Sequence, residues 1–475
     1  MTLEDTSPAA PQTRSRVWLA VALLTSIASA IALLKQPGLD AGAAMMGGVF
    51  VLAALLWISE ALPLHATALI VILLVIVALA NPGRWEFLAS DQRSITHQRI
   101  LQEAASPILL LFLGGLVLAV AAEKHGVDRA MSSILLRPFS GNLSLLLLGI
   151  MLVTALFSMW MSNTATAAMM MALAAPMLAR LGPFDPFRKA IVLAIAFSAS
   201  LGGIGTPIGS PPNAVAIKFL QEQGVVVAFK QWVLISLPLA LAMLAVAWTV
   251  LRLMYRPAEP GVAILPPLEK LRSHAWWVVA IFTGTVTLWM TESFHGLPSF
   301  VVALIPVALL TATGLISGED LKRVDWNVLI LISGGITLGY GVQAASLDKW
   351  VVARLPLGDG VPFPLVVVIL AATTTILGTF MSNTAAANLI LPIGLTIARS
   401  HGSSEWDVAL IGMCVALAAS MSLSLPISTP PNAIAYATGE VKTKDMAIPG
   451  MIVGAAGVVL VVLLTGPLMK LWMAK

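Results

Sequence analysis

Two short polar stretches, Ser162-Asn163-Thr164 and Ser382-Asn383-Thr384, stand in the middle of long apolar runs. Each is preceded by Met (Met161, Met381) and followed by Ala (Ala165, Ala385). A second polar break follows each: Gly209-Ser210-Pro211-Pro212-Asn213 and Ser428-Thr429-Pro430-Pro431-Asn432. None of the four contains a charged residue, so the chemistry open to them is ligation and hydrogen bonding. Hydroxyl and amide groups serve as donors or acceptors. A break in a helix also frees N–H groups at the new N-terminus and C=O groups at the preceding C-terminus. The first attract anions and the second cations. Each Ser-Asn-Thr break with its facing Pro-Pro-Asn break is therefore expected to hold one hard cation, with room for an anionic substrate between them. Oxygen donors without imidazole or thiolate favour an alkali cation over a transition metal.

The elements that position these breaks are membrane helices. The chain is 58% hydrophobic and 11% charged, where soluble domains carry about 25% charged residues. Mean hydropathy is +0.93, and apolar runs long enough to span a bilayer recur throughout. This predicts an all-α polytopic membrane protein, with about eleven transmembrane helices and two re-entrant hairpins. The net charge of +4 reports loops at the membrane surface, not a nucleic-acid partner. The lone Cys414 reads as a small core residue.

Residues 1–42 are read as a polar tail and a first helix. The apolar run 17–34 continues past Ala28-Ser29-Ala30, too long for a cleaved signal segment, so it is read as retained. Spans follow at 43–62, 66–80 and 107–122, with a polar loop at 81–104. The stretch 143–181 is broken once, at Ser162-Asn163-Thr164. It is read as two spans or as a re-entrant hairpin. The hairpin is preferred because an uncharged tip without a Pro or Gly turn pair suits a buried site better than bulk water. A broken helix covers 190–219. A basic, Pro-rich linker at 257–272 separates repeat 1 (43–256) from repeat 2 (273–475), which carries a second hairpin at 362–398 and a second broken helix at 408–440.

The halves correspond closely. Gly114 and Gly334, Asp128 and Asp348, and Ser162 and Ser382 are each 220 residues apart, and Asn213 and Asn432 are 219 apart. Trp57-Ile58-Ser59-Glu60 returns as Trp289-Met290-Thr291-Glu292. From span two to its counterpart at 275–290 the chain crosses an odd number of times, so the second half enters the membrane inverted. Inverted repeats with broken helices are a frequent plan of secondary transporters, with the site at the midplane. Cytoplasmic placement of the N-terminus puts sixteen of the 27 Lys and Arg inside. The C-terminus is then outside. Proton coupling would need an intramembrane carrier. The candidates Glu60, Glu123, Glu292, His65 and His295 all lie outside the four motifs, and Glu60 and Glu292 read as interfacial, structurally paired carboxylates. An intramembrane enzyme would need a nucleophile and base or a metal set, which the motifs lack.

Ser158-Met159-Trp160-Met161-Ser162-Asn163-Thr164-Ala165-Thr166 and Leu425-Pro426-Ile427-Ser428-Thr429-Pro430-Pro431-Asn432-Ala433 resemble the signatures of the divalent anion:sodium symporters (DASS), the dicarboxylate, citrate and sulfate carriers. The resemblance extends from about residue 43 onward. It implies a homodimer in the membrane, in bacteria the plasma membrane. Each protomer would have a scaffold domain and a transport domain moving as an elevator. It implies two Na+ ions as coupling ions and no organic cofactor. The first Na+ would meet Ser158, Ser162, Asn163 and Gly209. The second would meet Ser382, Asn383 and Ser428 and a residue near Gly378. Substrate carboxylates would meet Ser162, Asn163, Thr164, Ser210, Ser382, Asn383, Thr384 and Thr429. Gly378 stands where Ser158 stands in the first copy, which leaves a backbone carbonyl or Thr379 in place of that side chain. The expected function is sodium-coupled import of small dicarboxylates such as succinate, malate or fumarate. Sulfate or citrate symport by the same fold, and dicarboxylate exchange without net sodium coupling, are the alternatives.

Overall fold

A computed structural model describes residues 13–81, 83, 85, 95–258, 271, 273–356, 361–401 and 404–473. The expected tail up to residue 12 and most of the 257–272 linker lie outside these. Helices make up the architecture, and no strand occurs among the described residues. Helices α1 (Thr13–Leu34) and α2 (Ala41–Ser59) run side by side, followed by α3 (Leu64–Val75), which ends in a π turn at Ile76–Ala80. The loop expected at 81–104 ends instead in a short helix, α4 (His97–Ala104). Thr96 caps it by accepting from Arg99 N, Arg99 pairs with Glu103 one turn on, and Ile100 is buried. Cap, i,i+4 pair and one apolar anchor suffice to order a polar segment.

Next come α5 (Ile108–Lys124), α6 (Val127–Leu135), α7 (Leu143–Ser158) and α8 (Asn163–Leu178). They are followed by α9 (Phe187–Gly203), α10 (Pro211–Glu222) and α11 (Phe229–Met254). The second half begins with α12 (Ser273–Met290), α13 (Glu292–His295), α14 (Ser299–Val302), α15 (Leu304–Ala312), α16 (Gly318–Leu321), α17 (Trp326–Ala344) and α18 (Leu347–Val352). It closes with α19 (Phe363–Phe380), α20 (Asn383–Ser400), α21 (Glu405–Ala419), α22 (Pro430–Ala437) and α23 (Thr443–Met473). Among the described residues, seven helices are long and apolar enough to cross a membrane, α4 and α5 counting as one.

The two halves interlock. Helix α9 is buried from Ala190 to Gly203, enclosed by α7, α8 and α11 of its own half and by α22 and α23 of the other. Helix α5 packs on α15, and α17 on α3. Both crossings are close. A Cβ on Gly114 would lie 2.6 Å from Ala303 O, and one on Gly334 would lie 2.5 Å from the Ala68 Cβ and 3.0 Å from Ala68 O. Gly334→Val is therefore expected to destabilise the protein by about 1–3 kcal/mol through overpacking. A lowered midpoint of thermal unfolding in detergent checks this, and an unchanged midpoint counts against it.

The duplicated tryptophans act as staples. Trp57 Nε1 donates to Leu64 O and Trp289 Nε1 to Ser299 O, each tying the end of one helix to the start of the next. Both rings are fully buried.

Polar contacts sort the connecting segments into two groups. In the first, Lys124 Nζ donates to Leu315 O at 2.9 Å and pairs with Asp320 at 2.6 Å, and Arg323 pairs with Glu123. Lys124 and Ser317 hold the Asp320 carboxyl well below the usual carboxylate range. Arg188 pairs with Glu440, Lys189 with Asp445 at 2.9 Å, and the Tyr255 hydroxyl donates to Asp445 O at 2.7 Å. In the second group, Trp350 Nε1 donates to Pro37 O, and Arg399 donates to Gln223 O. Lys218 there bridges Glu103 at 2.8 Å and Glu222 at 3.0 Å, the three side chains being 14%, 5% and 17% exposed.

Candidate functional site

Each Ser-Asn-Thr motif starts a helix. Ser162 is the N-cap of α8, with φ −62° and ψ 142°, and accepts from Ala165 N at 3.2 Å. Ser382 is the N-cap of α20, with φ −64° and ψ 145°, and accepts from Ala385 N at 3.2 Å. The Pro-Pro-Asn motifs do the same for α10 and α22, with Ser210 and Thr429 as N-caps and prolines in the first turn. Proline suits that position because its N–H would be unpaired there in any case. The Asn that closes each motif is a staple. Asn213 Nδ2 donates to Gly203 O and Thr206 O at 3.0 and 2.8 Å, and Asn432 Nδ2 to Leu423 O and Leu425 O, both at 3.0 Å.

All four motifs line one cavity of about 170 Å³. Its wall includes Ser162, Asn163, Thr164, Gly209, Ser210, Ser382, Asn383, Thr384, Ser428 and Thr429. Every residue expected from the sequence to meet substrate is among them. Ser158, Gly378 and Thr379 are not on the wall; Ser158 and Gly378 are buried behind it. The sequence reading missed Trp160, Leu64, Phe112 and Asp325 as lining residues. Asp325 is the one charged residue on the described wall and precedes α17. None of Glu60, Glu123, Glu292, His65 and His295 lines this cavity.

Among the described residues the wall carries no basic side chain, so an anion would rely on the N-termini of α8, α10, α20 and α22. Each presents partial positive charge. The prolines strip N–H donors from the first turns of α10 and α22, which leaves α8 and α20 as the better-equipped pair.

Behind the wall, oxygens gather beside each Asn. In the first half, Ser158 Oγ donates to Ala199 O at 2.5 Å. The inward corner of the Asn163 amide lies 3.1 Å from both Gly209 O and Ala199 O and 2.6 Å from Ser158 Oγ. With nitrogen at that corner, its two N–H groups are shared among the three. Turned over, Oδ1 accepts the Ser158 proton in place of Ala199 O and completes an all-oxygen group suited to a hard cation. In the second half, Asn383 Oδ1 is buried without a hydrogen-bond partner. Ser428 Oγ donates to Thr379 O at 2.9 Å, whereas the Thr379 hydroxyl back-bonds to Thr375 O within its own helix.

Trp160 braces the first tip. Its ring stacks on Trp289 at 6.5 Å and on Phe229 at 6.2 Å, and those two stack on each other at 5.0 Å. A second cavity of about 430 Å³, lined by Glu123, Asp128 and Arg129 among others, shares Met161 with the first.

Comparison with known proteins shows a likeness to transporters. The profile of the citrate transporter family matches residues 54–416. An uncharacterised transporter of Haemophilus influenzae is 32% identical over 445 residues, covering 90% of this chain and 91% of that protein. The sodium-dependent dicarboxylate transporter SdcS of Staphylococcus aureus is 28% identical over 458 residues, covering 88% and 85%. The crystal structure of the Alcanivorax borkumensis YdaH transporter, whose topology is described as unusual, superposes with a TM-score of 0.60. That match covers 86% of this chain and 98% of the other at 12% identity, a likeness of fold alone.

Proposed function

We propose that this chain, which belongs to the citrate transporter family and is a carrier of the divalent anion:sodium symporter class, imports small dicarboxylates of the succinate type together with sodium. It is an integral membrane protein and a transporter, not an enzyme. The observation that carries the reading is the convergence of four uncharged polar breaks, two from each half, on one cavity. A dianion with a carboxylate at each end fits two helix N-termini, those of α8 and α20, with the Ser, Asn and Thr side chains donating to its oxygens. The oxygen groups around Asn163 and Asn383 are the places for sodium. Ser158, Ser162, Asn163 and Gly209 serve the first, and Ser382, Asn383, Ser428 and the Gly378–Thr379 backbone serve the second. The citrate-family match and the sodium-dependent relative SdcS support this substrate and ion class.

The α7–α8 and α19–α20 pairs are read as re-entrant hairpins of inverted repeats. Arms of 16 residues in the first pair reach about 24 Å, short of a bilayer core of about 30 Å. The open end of α7–α8 adjoins the group with Arg188 and Glu440, and that of α19–α20 adjoins the group with Arg399 and Gln223. An elevator-like displacement of the hairpins against a scaffold, in a homodimer of the bacterial plasma membrane with its N-terminus inside, completes the reading. Met161 then separates the substrate cavity from the larger one beside Arg129, so the tip itself is the partition.

Labelled succinate uptake into proteoliposomes tests it, with an inward sodium gradient, an inward proton gradient, or neither. Uptake only with sodium is expected. Uptake that ignores sodium but needs internal dicarboxylate would make the protein an exchanger. Absence of succinate uptake alongside sodium-driven citrate or sulfate uptake would move the substrate within the class.

A further inference from the structure

We infer that Ser422 is a sodium ligand of the second half, standing in for the side chain that Gly378 lacks. The inference rests on the sodium-coupled reading above. In the first half a serine, Ser158, approaches the Asn163 amide from the helix before the tip, and Gly203 faces the same amide from α9. A Cβ on Gly203 would lie 2.6 Å from Asn163 Oδ1 and 2.8 Å from Gly209 O. That side must be glycine because the other side holds the serine.

The second half reverses the pair. Residue 378, which is 220 after Ser158, is glycine; residue 422, which is 219 after Gly203, is serine. A Cβ on Gly378 would collide with Ser422 Oγ and would lie 3.3 Å from Asn383 Oδ1. The Ser422 hydroxyl thus fills the space that the Ser158 side chain fills in the first copy, beside the equivalent Asn. It is fully buried and donates its proton to Thr375 O at 2.9 Å, which leaves its lone pairs free. The Asn383 Oδ1 nearby is buried and unpartnered. A donor set of amide oxygen, hydroxyl and main-chain carbonyls suits a hard cation. Each half therefore has one serine and one glycine facing its Asn, with the hydroxyl supplied from opposite sides.

The reciprocal arrangement supplies its own test. In purified protein, sodium binding is followed by equilibrium uptake of radioactive sodium without substrate, and by the sodium-dependent rise in the thermal unfolding midpoint. Ser422→Ala is expected to weaken one of two sodium-binding phases about tenfold, the loss of one oxygen contact to a charge, and to leave the other phase intact. Gly378→Ser alone is expected to collide with Ser422 and weaken the same phase. The double variant Gly378→Ser with Ser422→Gly rebuilds the first half's arrangement and should restore it. Wild-type sodium binding in folded Ser422→Ala, or a folded double variant no better than Gly378→Ser alone, overturns the assignment. If the wild-type protein binds no sodium at all, the sodium-coupled reading falls and this inference falls with it. If wild type binds sodium and Ser422→Ala binds it equally, only the role of Ser422 is lost.

Discussion

Alanine at Asn163 or at Asn383 is expected to abolish sodium-driven succinate uptake without unfolding the protein. Each Asn lies at a helix N-terminus on the wall of the cavity, and on the proposed reading one truncation removes a contact to the ion and a contact to the dianion. Two charge-assisted contacts at about 1.5–3 kcal/mol each correspond to a loss of about a hundredfold or more. The two variants should differ in stability. With its nitrogen turned inward, the Asn163 amide faces Gly209 O, Ala199 O and Ser158 Oγ as a donor, and its loss leaves those groups facing one another. Asn383 Oδ1 has no partner to lose. Asn163→Ala should therefore unfold at a lower temperature than Asn383→Ala, although both transport equally poorly. Gel filtration and thermal unfolding separate the effects. Wild-type uptake in either variant would remove that Asn from the site.

Lys218→Met is expected to give the largest stability loss of any single charge substitution. Lys218 lies between Glu103 of α4 and Glu222 of α10, and all three side chains are mostly hidden from water. Removing Lys218 leaves Glu103 with Arg99 alone and takes the ion pair from Glu222, so two carboxylates face each other in a poorly hydrated place, a cost of about 3–5 kcal/mol. Because the cost arises from the stranded acids, adding Glu103→Gln should recover part of it. A double variant as unstable as Lys218→Met would show that the lysine acts through its packing instead.

The duplicated motifs made the site legible in the sequence because membrane sequence is otherwise oily, and an uncharged polar triplet inside it stands out. The shift of about 220 residues located both copies, and the residues expected at the substrate all reached one cavity. Asp325 was not legible because it belongs to no repeated motif; it reaches the wall only through the start of α17. Helix α4 was hidden because a polar segment with a single apolar anchor looks like a loop. Ser422 lay within Ser420-Met421-Ser422-Leu423-Ser424, where serines read as ordinary helix back-bonding. The repeat register held the missing signal: applied to Gly203, the shift of 219 lands on Ser422, just as the shift of 220 takes Ser158 to Gly378.

The enclosure of α9 has a consequence for how the protein is made. Two of its walls, α22 and α23, emerge from the ribosome more than 200 residues after it. At about 5–20 residues per second, the wait lasts tens of seconds. Until then Ser198 and Ser200, fully buried in the finished protein, belong to a helix whose enclosure is incomplete and whose hydroxyls can face lipid. An unfinished chain then leaves part of a polar-bearing helix uncovered within the bilayer, which the finished one does not. Membrane quality control can read such hydroxyls, so chains that stop before α22 should be short-lived in the cell.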